Sequence, residues 1–94
     1  MKLSEYCDTI GAALVVRRYT NQGERWSADF ECCEIKDNGG LLSTYGDGDN
    51  PVSAINAYLK KIRGKTLVFH AYTDHRREFT VPTSLADYAP GQEE

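Results

Sequence analysis

The apolar and polar positions of the chain follow their clearest pattern between residues 46 and 65, where they predict a helix. One apolar stripe is formed by residues at offsets of three, seven and ten, which are Val52, Ile55, Leu59 and Ile62. Asn50 can cap the start with its side-chain oxygen, and Pro51 suits the first helical position. Gly64 can take the left-handed conformation that ends a helix. The stripe indicates that this helix covers a sheet.

The clearest strand begins at Arg25, where two kinds of residue alternate. One face carries Trp26, Ala28, Phe30 and Cys32, and the other carries Arg25, Ser27, Asp29 and Glu31. Such alternation is typical of an antiparallel strand with one solvated face. Because Ile35 falls out of phase with it, we expect a bulge near Cys32 and Cys33.

Two further strands flank the alternating one. Residues 12–19 are apolar and β-branched until they reach two arginines, which predicts a first strand followed by a turn at 20–23. Residues 37–40 favour a hairpin turn because Asn and Gly accept positive φ, and a third strand is predicted at 41–45.

The chain after the helix predicts a second pair of strands. Residues 66–72 are apolar on both sides, which favours a central strand, and residues 76–81 alternate until Pro82 removes a ladder donor. At the other end of the chain, residues 1–9 have helical spacing but equally fit an irregular segment.

These elements predict an α+β fold with the order β-β-β-α-β-β. In this two-layer arrangement, one main helix packs on one face of an antiparallel sheet. The expected shared core consists of Trp26, Phe30, Ile55, Leu59 and either Leu67 or Phe69.

Composition is that of an ordinary globular domain, with 40% hydrophobic and 27% charged residues. For 94 residues we expect a single domain over 1–94, with a core at about 10–82 and a flexible tail at 89–94. The first residues lack the pattern of a signal peptide, and no run approaches the ~18 apolar residues of a membrane helix, so a cytoplasmic protein without membrane contact is expected. Three cysteines predict free thiols.

A short motif before the helix resembles a known family. The residues that carry it are Gly46, Asp47, Asn50, Pro51, Ala54 and Ile55, which are similar to the GDTPEEAL signature of HicB-type antitoxin domains. The resemblance implies a partial RNase H-like or double-stranded-RNA-binding-domain-like fold. Small phage and prophage proteins show a similar exit from the helix at residues 64–68, so the resemblance also implies a phage or prophage origin. Gly48 and Asp49 are insertions relative to the signature, and no DNA-binding domain is recognised beside it, so an autoregulating repressor is not expected.

Metal and catalytic chemistry find little support in the pattern. Asp47 and Asp49 suggest a calcium loop, but its twelfth position is Tyr58 rather than Glu, so we interpret them as a turn that complements the helix dipole. The residues that could bind zinc are Cys7, Cys32, Cys33, His70 and His75, and they lack a complete ligand spacing. A catalytic cysteine–histidine pair could be formed by Cys33 or Cys7 with His70 or His75, but the sequence around these residues lacks the signature of a cysteine nucleophile. We therefore expect neither an enzyme nor a cofactor.

Charge gives the remaining candidate site. Residues 60–77 contain six basic residues against one acidic residue, in a chain of net charge −3. The tentative binding residues are Lys60, Lys61, Arg63, Lys65, Tyr72, His75, Arg76 and Arg77. If the helix end and the final hairpin lie side by side, these residues form one continuous basic patch. Helix-end lysines that serve only the helix dipole and solubility are the alternative.

The sequence thus favours a non-catalytic binding module whose partner is a host or phage protein. The alternative is an RNA- or DNA-binding protein that uses the basic helix end and the final hairpin, although the acidic net charge argues against it. Partners are expected at the sheet edges, by homodimer pairing or by strand addition. Arg17 and Arg18 place charge on one such strand.

Overall fold

A computed structural model of the protein describes residues 1–20, 23 and 25–92. Within this part of the chain, two α-helices accompany two antiparallel sheets, so the predicted α+β class is confirmed. The elements are α1 (Leu3–Ile10), β1 (Leu14–Tyr19), β2 (Arg25–Phe30), β3 (Cys33–Asp37), β4 (Gly40–Leu42), β5 (Gly46–Gly48), α2 (Pro51–Ile62), β6 (Thr66–Phe69), β7 (Arg77–Thr80) and a 3₁₀ turn at Pro90–Gln92.

The central helix begins and ends where the sequence predicts. The Ser53 N–H donates to the Asn50 side chain at 2.9 Å, and Pro51 is the first helical residue. Gly64 has a φ of +75°. Ile55, Leu59 and Ile62 of the predicted stripe are buried, and Val52 is half-buried. Tyr58 joins them with its ring edge-on to Phe30. Helix α2 therefore packs on the face of β2 that carries Phe30, as the alternation predicts.

The predicted long strand after Arg25 is broken into two strands that belong to different sheets. Cys32, where a bulge was expected, adopts a φ of +53° and separates β2 from β3. The first sheet has the order β1-β2-β5, and the second has the order β4-β3-β6-β7. A positive φ at a non-glycine residue interrupts the extended conformation, so the chain leaves one sheet here and enters the other.

The Gly-Asp segment before the helix is a strand rather than a turn. Strand β5 pairs with β2, with Gly46 opposite Ala28 and Gly48 opposite Trp26. A Cβ on Gly46 would collide with backbone atoms of Ala54 and Tyr58 in α2. Glycine is thus required where the backbones of strand and helix meet, and the predicted strand at 41–45 is replaced by two short ones, β4 and β5.

The final hairpin is shorter than predicted. Strand β6 is central, between β3 and β7, as expected, but it ends at Phe69 because His70 takes a φ of +53°. Strand β7 covers Arg77–Thr80, and Val81 still donates its N–H to the Lys65 carbonyl at 2.8 Å.

The first residues form a helix, α1, rather than an irregular segment. It buries Leu3, Tyr6 and Ile10 and ends at Gly11, whose φ is +69°. Leu3, Tyr6 and Leu85 belong to the main core cluster, so this core extends beyond the predicted range of about 10–82.

Most of the expected core residues are buried in that cluster. Phe30, Ile55 and Leu59 are buried there together with both Leu67 and Phe69, whereas Trp26 is only partly buried at its margin. Two predicted segments fall partly outside the described residues. These are the turn at 20–23, which includes residues 21 and 22, and the tail at 89–94, which includes residues 93 and 94.

Candidate functional site

The residues of the predicted basic patch lie in separate places. Lys60, Lys61, Arg63 and Lys65 cluster where α2 ends, beside the start of β6. Arg76 lies at the other end of the hairpin, five residues beyond the level of Lys65, which is roughly 16 Å away at 3.3 Å per residue. The structure therefore does not bring the eight residues into one continuous patch, and their role in binding stays a prediction.

Several of these cations are engaged within the protein. The Lys61 ammonium donates to the Tyr45 carbonyl at 2.7 Å and lies 5.4 Å from the Tyr45 ring centroid. Arg63 donates to the Leu85 carbonyl at 2.7 Å and pairs with Asp87 at 2.5 Å, which holds the C-terminal segment against α2. These contacts give Lys61 and Arg63 structural roles.

The two hairpin arginines differ in their surroundings. Arg77 donates to the Ile10 carbonyl at 2.8 Å and stacks 4.8 Å above the Phe79 ring, so it ties β7 to the end of α1. Arg76 is exposed and pairs with Glu78 at 2.9 Å. Contacts with Lys36 and then with Arg76 hold the pKa of the Glu78 carboxyl below its usual value. His75 is exposed, and Tyr72, at 85% exposure, projects from the same loop.

The candidate metal ligands are not gathered. Among residues 1–20, 23 and 25–92, no three His, Cys, Asp or Glu side chains lie close enough to hold an ion. Asp47 and Asp49 are both paired with Arg25, at 2.8 and 2.7 Å. Within the described residues the three cysteines form no disulfide, and burial raises the pKa of Cys33 to about 11.

A different surface combines aromatic and charged side chains, and we call it the open face. It is the side of the first sheet turned away from α2. Its members are Arg17, Tyr19, Arg25, Ser27, Asp29, Tyr45 and Asp47, and together with Trp26 they line a depression of about 430 Å³.

The register of the strands explains why these side chains meet. Residues directly opposite each other in a sheet share a face. Ser27 lies opposite both Arg17 on β1 and Asp47 on β5. Tyr19 lies opposite Arg25 in the same way. Alternation along β2 sends Ala28 and Phe30 to the helix and the polar residues between them to the open face.

Each arginine of the open face is held in place by two carboxylates. Arg17 reaches Asp29 at 2.9 Å and Glu31 at 3.4 Å. Arg25 bridges Asp47 and Asp49, and its hydrogen bond to Asp47 raises the pKa of the guanidinium and lowers that of the carboxyl. The guanidinium planes are therefore oriented before any partner arrives, and the four carboxylates outnumber the two arginines.

The tyrosines of the open face are large and accessible. Tyr19 is 48% exposed and Tyr45 is 57% exposed, whereas Ser27 between the strands is only 5% exposed. Tyrosine and arginine are enriched among the residues that dominate protein interfaces. An aromatic surface on which carboxylates outnumber arginines suits a protein partner better than a phosphate backbone.

A smaller depression lies where β2 ends. It measures about 280 Å³ and is lined by apolar residues together with Cys32, His70, Glu31 and Arg77. The His70 N–H donates to the Cys32 carbonyl at 2.9 Å. Both residues have a positive φ, a conformation that side chains other than glycine rarely adopt. No hydrogen bond between the thiol and the imidazole accompanies this backbone contact in the described part of the chain.

Comparison with protein-family models, with curated proteins and with solved structures finds no significant match to the chain. Within the described residues, neither α1 nor α2 is long and apolar enough to cross a membrane. The case for a function therefore rests on the surface itself.

Sequence reasoning missed the open face because its members are far apart in the chain. Tyr19, Arg25 and Tyr45 come from three segments that only the sheet register joins. One signal was present. The glycines at 46 and 48 alternate with Asp47, which is the pattern of a strand packed closely on one side and solvated on the other.

Proposed function

We propose that this chain is a non-catalytic binding module whose partner is another protein that docks on the open face. The observation that carries the proposal is the placement of Tyr19 and Tyr45 beside Arg17 and Arg25 on one accessible side of a sheet. The resemblance of the helix-start motif to phage-encoded domains makes a host or phage protein the first partner to seek.

The energetics of such docking favour these four residues. Tyrosine rings bury much area for little conformational entropy, since only two side-chain torsions must be fixed. Arg17 and Arg25 are already oriented by carboxylates, so their ordering costs little more on binding. Truncation of a central interface tyrosine typically costs about 2 kcal/mol, which corresponds to a roughly 30-fold loss of affinity.

The test is affinity capture from nuclease-treated host lysate with three proteins. These are the unaltered chain, the double variant Tyr19→Ala with Tyr45→Ala, and Tyr72→Ala as a matched control that removes an exposed tyrosine from a different surface. We expect proteins retained by the unaltered chain and by Tyr72→Ala to be lost from the double variant. Equal retention by all three proteins would contradict docking on the open face.

A further inference from the structure

The depression of the open face contains a buried hydroxyl without a partner. Ser27 is only 5% exposed, and its position opposite both Arg17 and Asp47 places it on the floor of the depression. Within the residues that the structure describes, the Ser27 hydroxyl has no hydrogen-bond partner. Buried polar groups in native proteins are nearly always hydrogen-bonded. This hydroxyl therefore lacks a partner that a bound ligand can supply.

Carboxylates stand on both sides of this hydroxyl. Asp47 lies directly opposite Ser27, and Asp29 lies two residues further along β2, so both are on the same face. Arg17 donates to Oδ1 of Asp29, and Arg25 donates to Oδ2 of Asp47. These hydrogen bonds use one oxygen of each carboxylate, so the second oxygen can accept from a ligand.

The arginines of the open face are not available to an anion in the same way. Both terminal nitrogens of Arg17 and of Arg25 are already paired with carboxylates. An anionic ligand would have to displace those carboxylates, whereas a cationic ligand adds to acceptors that are still open. The arrangement therefore favours a donor of positive charge.

The balance of charge agrees with this preference. Among the described residues, the cations of this region are Arg17, Arg25 and Lys61, whose ammonium donates to the Tyr45 carbonyl. Arg18 lies on the other face of β1. The four carboxylates that pair with the two arginines exceed these cations by one. One further positive group would balance the cluster.

The aromatic residues beside the depression suit a flat cation. Tyr19 is 48% exposed, and Tyr45 is 57% exposed although Lys61 lies 5.4 Å from its ring centroid. Aromatic faces attract cations, and a guanidinium is planar, stacks on such rings and presents five N–H donors. An ammonium group has only three donors at one point. A guanidinium can thus reach acceptors on both sides of Ser27 while it contacts a ring.

We propose that the depression of the open face binds the guanidinium group of an arginine side chain of the partner protein. This inference rests on the proposed function, because the arginine belongs to the protein that docks there. The guanidinium donates to Asp29, Asp47 and the Ser27 hydroxyl, and the tyrosines contact its plane. The inference names the side chain that the partner must present.

The probe is the tripeptide acetyl-Gly-Arg-Gly-amide, titrated into the ¹⁵N-labelled full chain and followed by NMR. We expect saturable shifts of the Ser27 and Asp47 amide signals, with a Kd on the order of 1–10 mM. The matched citrulline tripeptide has nearly the same shape without the charge and should not saturate. The matched lysine tripeptide should bind at least about fivefold more weakly.

Several results of this titration would overturn the proposal. They are equal binding of the three tripeptides, no saturation by the arginine tripeptide up to about 50 mM, and saturable shifts confined to other parts of the chain. Tighter binding of inorganic phosphate at the same two amides would assign the depression to anions instead.

Two variants locate the site. Ser27→Ala removes the unpaired hydroxyl, Asp47→Asn removes one negative charge, and each should weaken binding of the arginine tripeptide about fivefold. Ser27→Ala should leave the thermal midpoint unchanged or higher, because its hydroxyl has no hydrogen bond to lose. Asp37→Asn is the matched control, since it removes an exposed carboxylate from the end of β3 in the second sheet, and it should bind like the unaltered chain. Unchanged affinity in both site variants, or equal weakening in Asp37→Asn, would contradict the proposal.

The two proposals can fail separately. If lysate proteins depend on Tyr19 and Tyr45 but the arginine tripeptide does not bind, the guanidinium site is wrong and docking on the open face stands. If the tripeptide binds at Ser27 and Asp47 while no captured protein depends on the tyrosines, the proposed function is wrong and the depression remains a guanidinium site.

Discussion

The two sheets differ in what their exposed faces carry. In the second sheet, Leu67 lies in the core, whereas Val68 points to the other face, where it lies between Glu34 and Glu78. On that face Glu78 pairs with Lys36 and Arg76. In the first sheet, α2 covers one face, and the other exposes two tyrosines beside its arginines. The exposed face of the second sheet thus carries ion pairs between its strands, whereas that of the first also presents large aromatic rings.

The charged residues of the two sheets differ accordingly. On the second sheet, Arg77 fastens β7 to α1, and Glu78 joins Lys36 and Arg76 across the strands. On the first, Arg17 and Arg25 stand on an exposed surface within carboxylate networks. Arg76 and Arg77 are neighbours in sequence but have different roles, whereas Arg17 and Arg25, which are far apart in sequence, lie on one surface.

The largest effect should come from the glycine that lets α2 approach the first sheet. Replacing Gly46→Ala puts a Cβ against backbone of Ala54 and Tyr58, which no rotamer change can relieve. We expect the free energy of unfolding to fall by roughly 3 kcal/mol. Urea denaturation followed by circular dichroism measures it.

Gly40→Ala on the second sheet is the matched control for that change. The nearest atom to its added Cβ is the Asp37 carbonyl at 3.8 Å, an ordinary contact. Stability should stay within about 0.5 kcal/mol of the unaltered protein. Similar losses for the two variants would show that the close approach of α2 to β5 is not what distinguishes the first sheet.

A smaller effect should separate the two hairpin arginines. Arg77→Ala removes a charged hydrogen bond to the Ile10 carbonyl and should cost about 1.5 kcal/mol, because that carbonyl is left partly buried. Arg76→Ala removes an exposed ion pair and should cost less than about 0.5 kcal/mol. Thermal unfolding of both variants gives the comparison, and equal costs would remove the structural role assigned to Arg77.

The smallest expected effect is a loss of stability at alkaline pH, which comes from the Cys33 thiol in the second sheet. Burial raises the pKa of Cys33 from 9.0 to about 11, so the unfolded chain loses this proton at lower pH than the folded one. The stability that the neutral thiol contributes is complete below pH 9 and is lost as pH rises toward 11. Burial raises the pKa of Tyr6 to about 12, so the loss of stability continues as pH rises toward that value.

Thermal midpoints between pH 8 and 11 test this expectation. The midpoint of the unaltered protein should fall across that range, and that of Cys33→Ala should fall less steeply. Cys32→Ala, which removes an exposed thiol, should follow the unaltered protein. Parallel curves for all three proteins would rule out the Cys33 thiol as a source of the alkaline loss.

Local signals in the sequence predicted the local structure well. The cap at Asn50, the apolar stripe of α2 and the phase slip near Cys32 each depend on a few neighbouring residues, and each is present. The consequence of the slip was not predictable, because a positive φ at Cys32 does not reveal whether a strand bends within one sheet or crosses to a second.

The candidate site was harder to predict because it depends on register. The basic patch was inferred from closeness in sequence, but the length of the hairpin, whose two strands have four residues each, separates its two ends. The open face needs β1, β2 and β5 to be aligned at Ser27, and β5 was interpreted as a turn. Glycines such as Gly46 and Gly48 are typical of turns, so the sequence alone favours a turn. Their contact with α2 is what explains why glycine is needed there.

The contact between β5 and α2 also limits how this sequence can diverge. An added Cβ at Gly46 meets backbone atoms rather than side chains, so no compensating substitution on the helix restores the space. A Cβ at Gly48 would lie 2.9 Å from the Ala54 backbone nitrogen. Any descendant that keeps this fold must therefore keep glycine at 46, and the spacing from Gly46 and Gly48 through the Asn50-Pro51 start to Ala54 is a fingerprint by which remote relatives can be recognised.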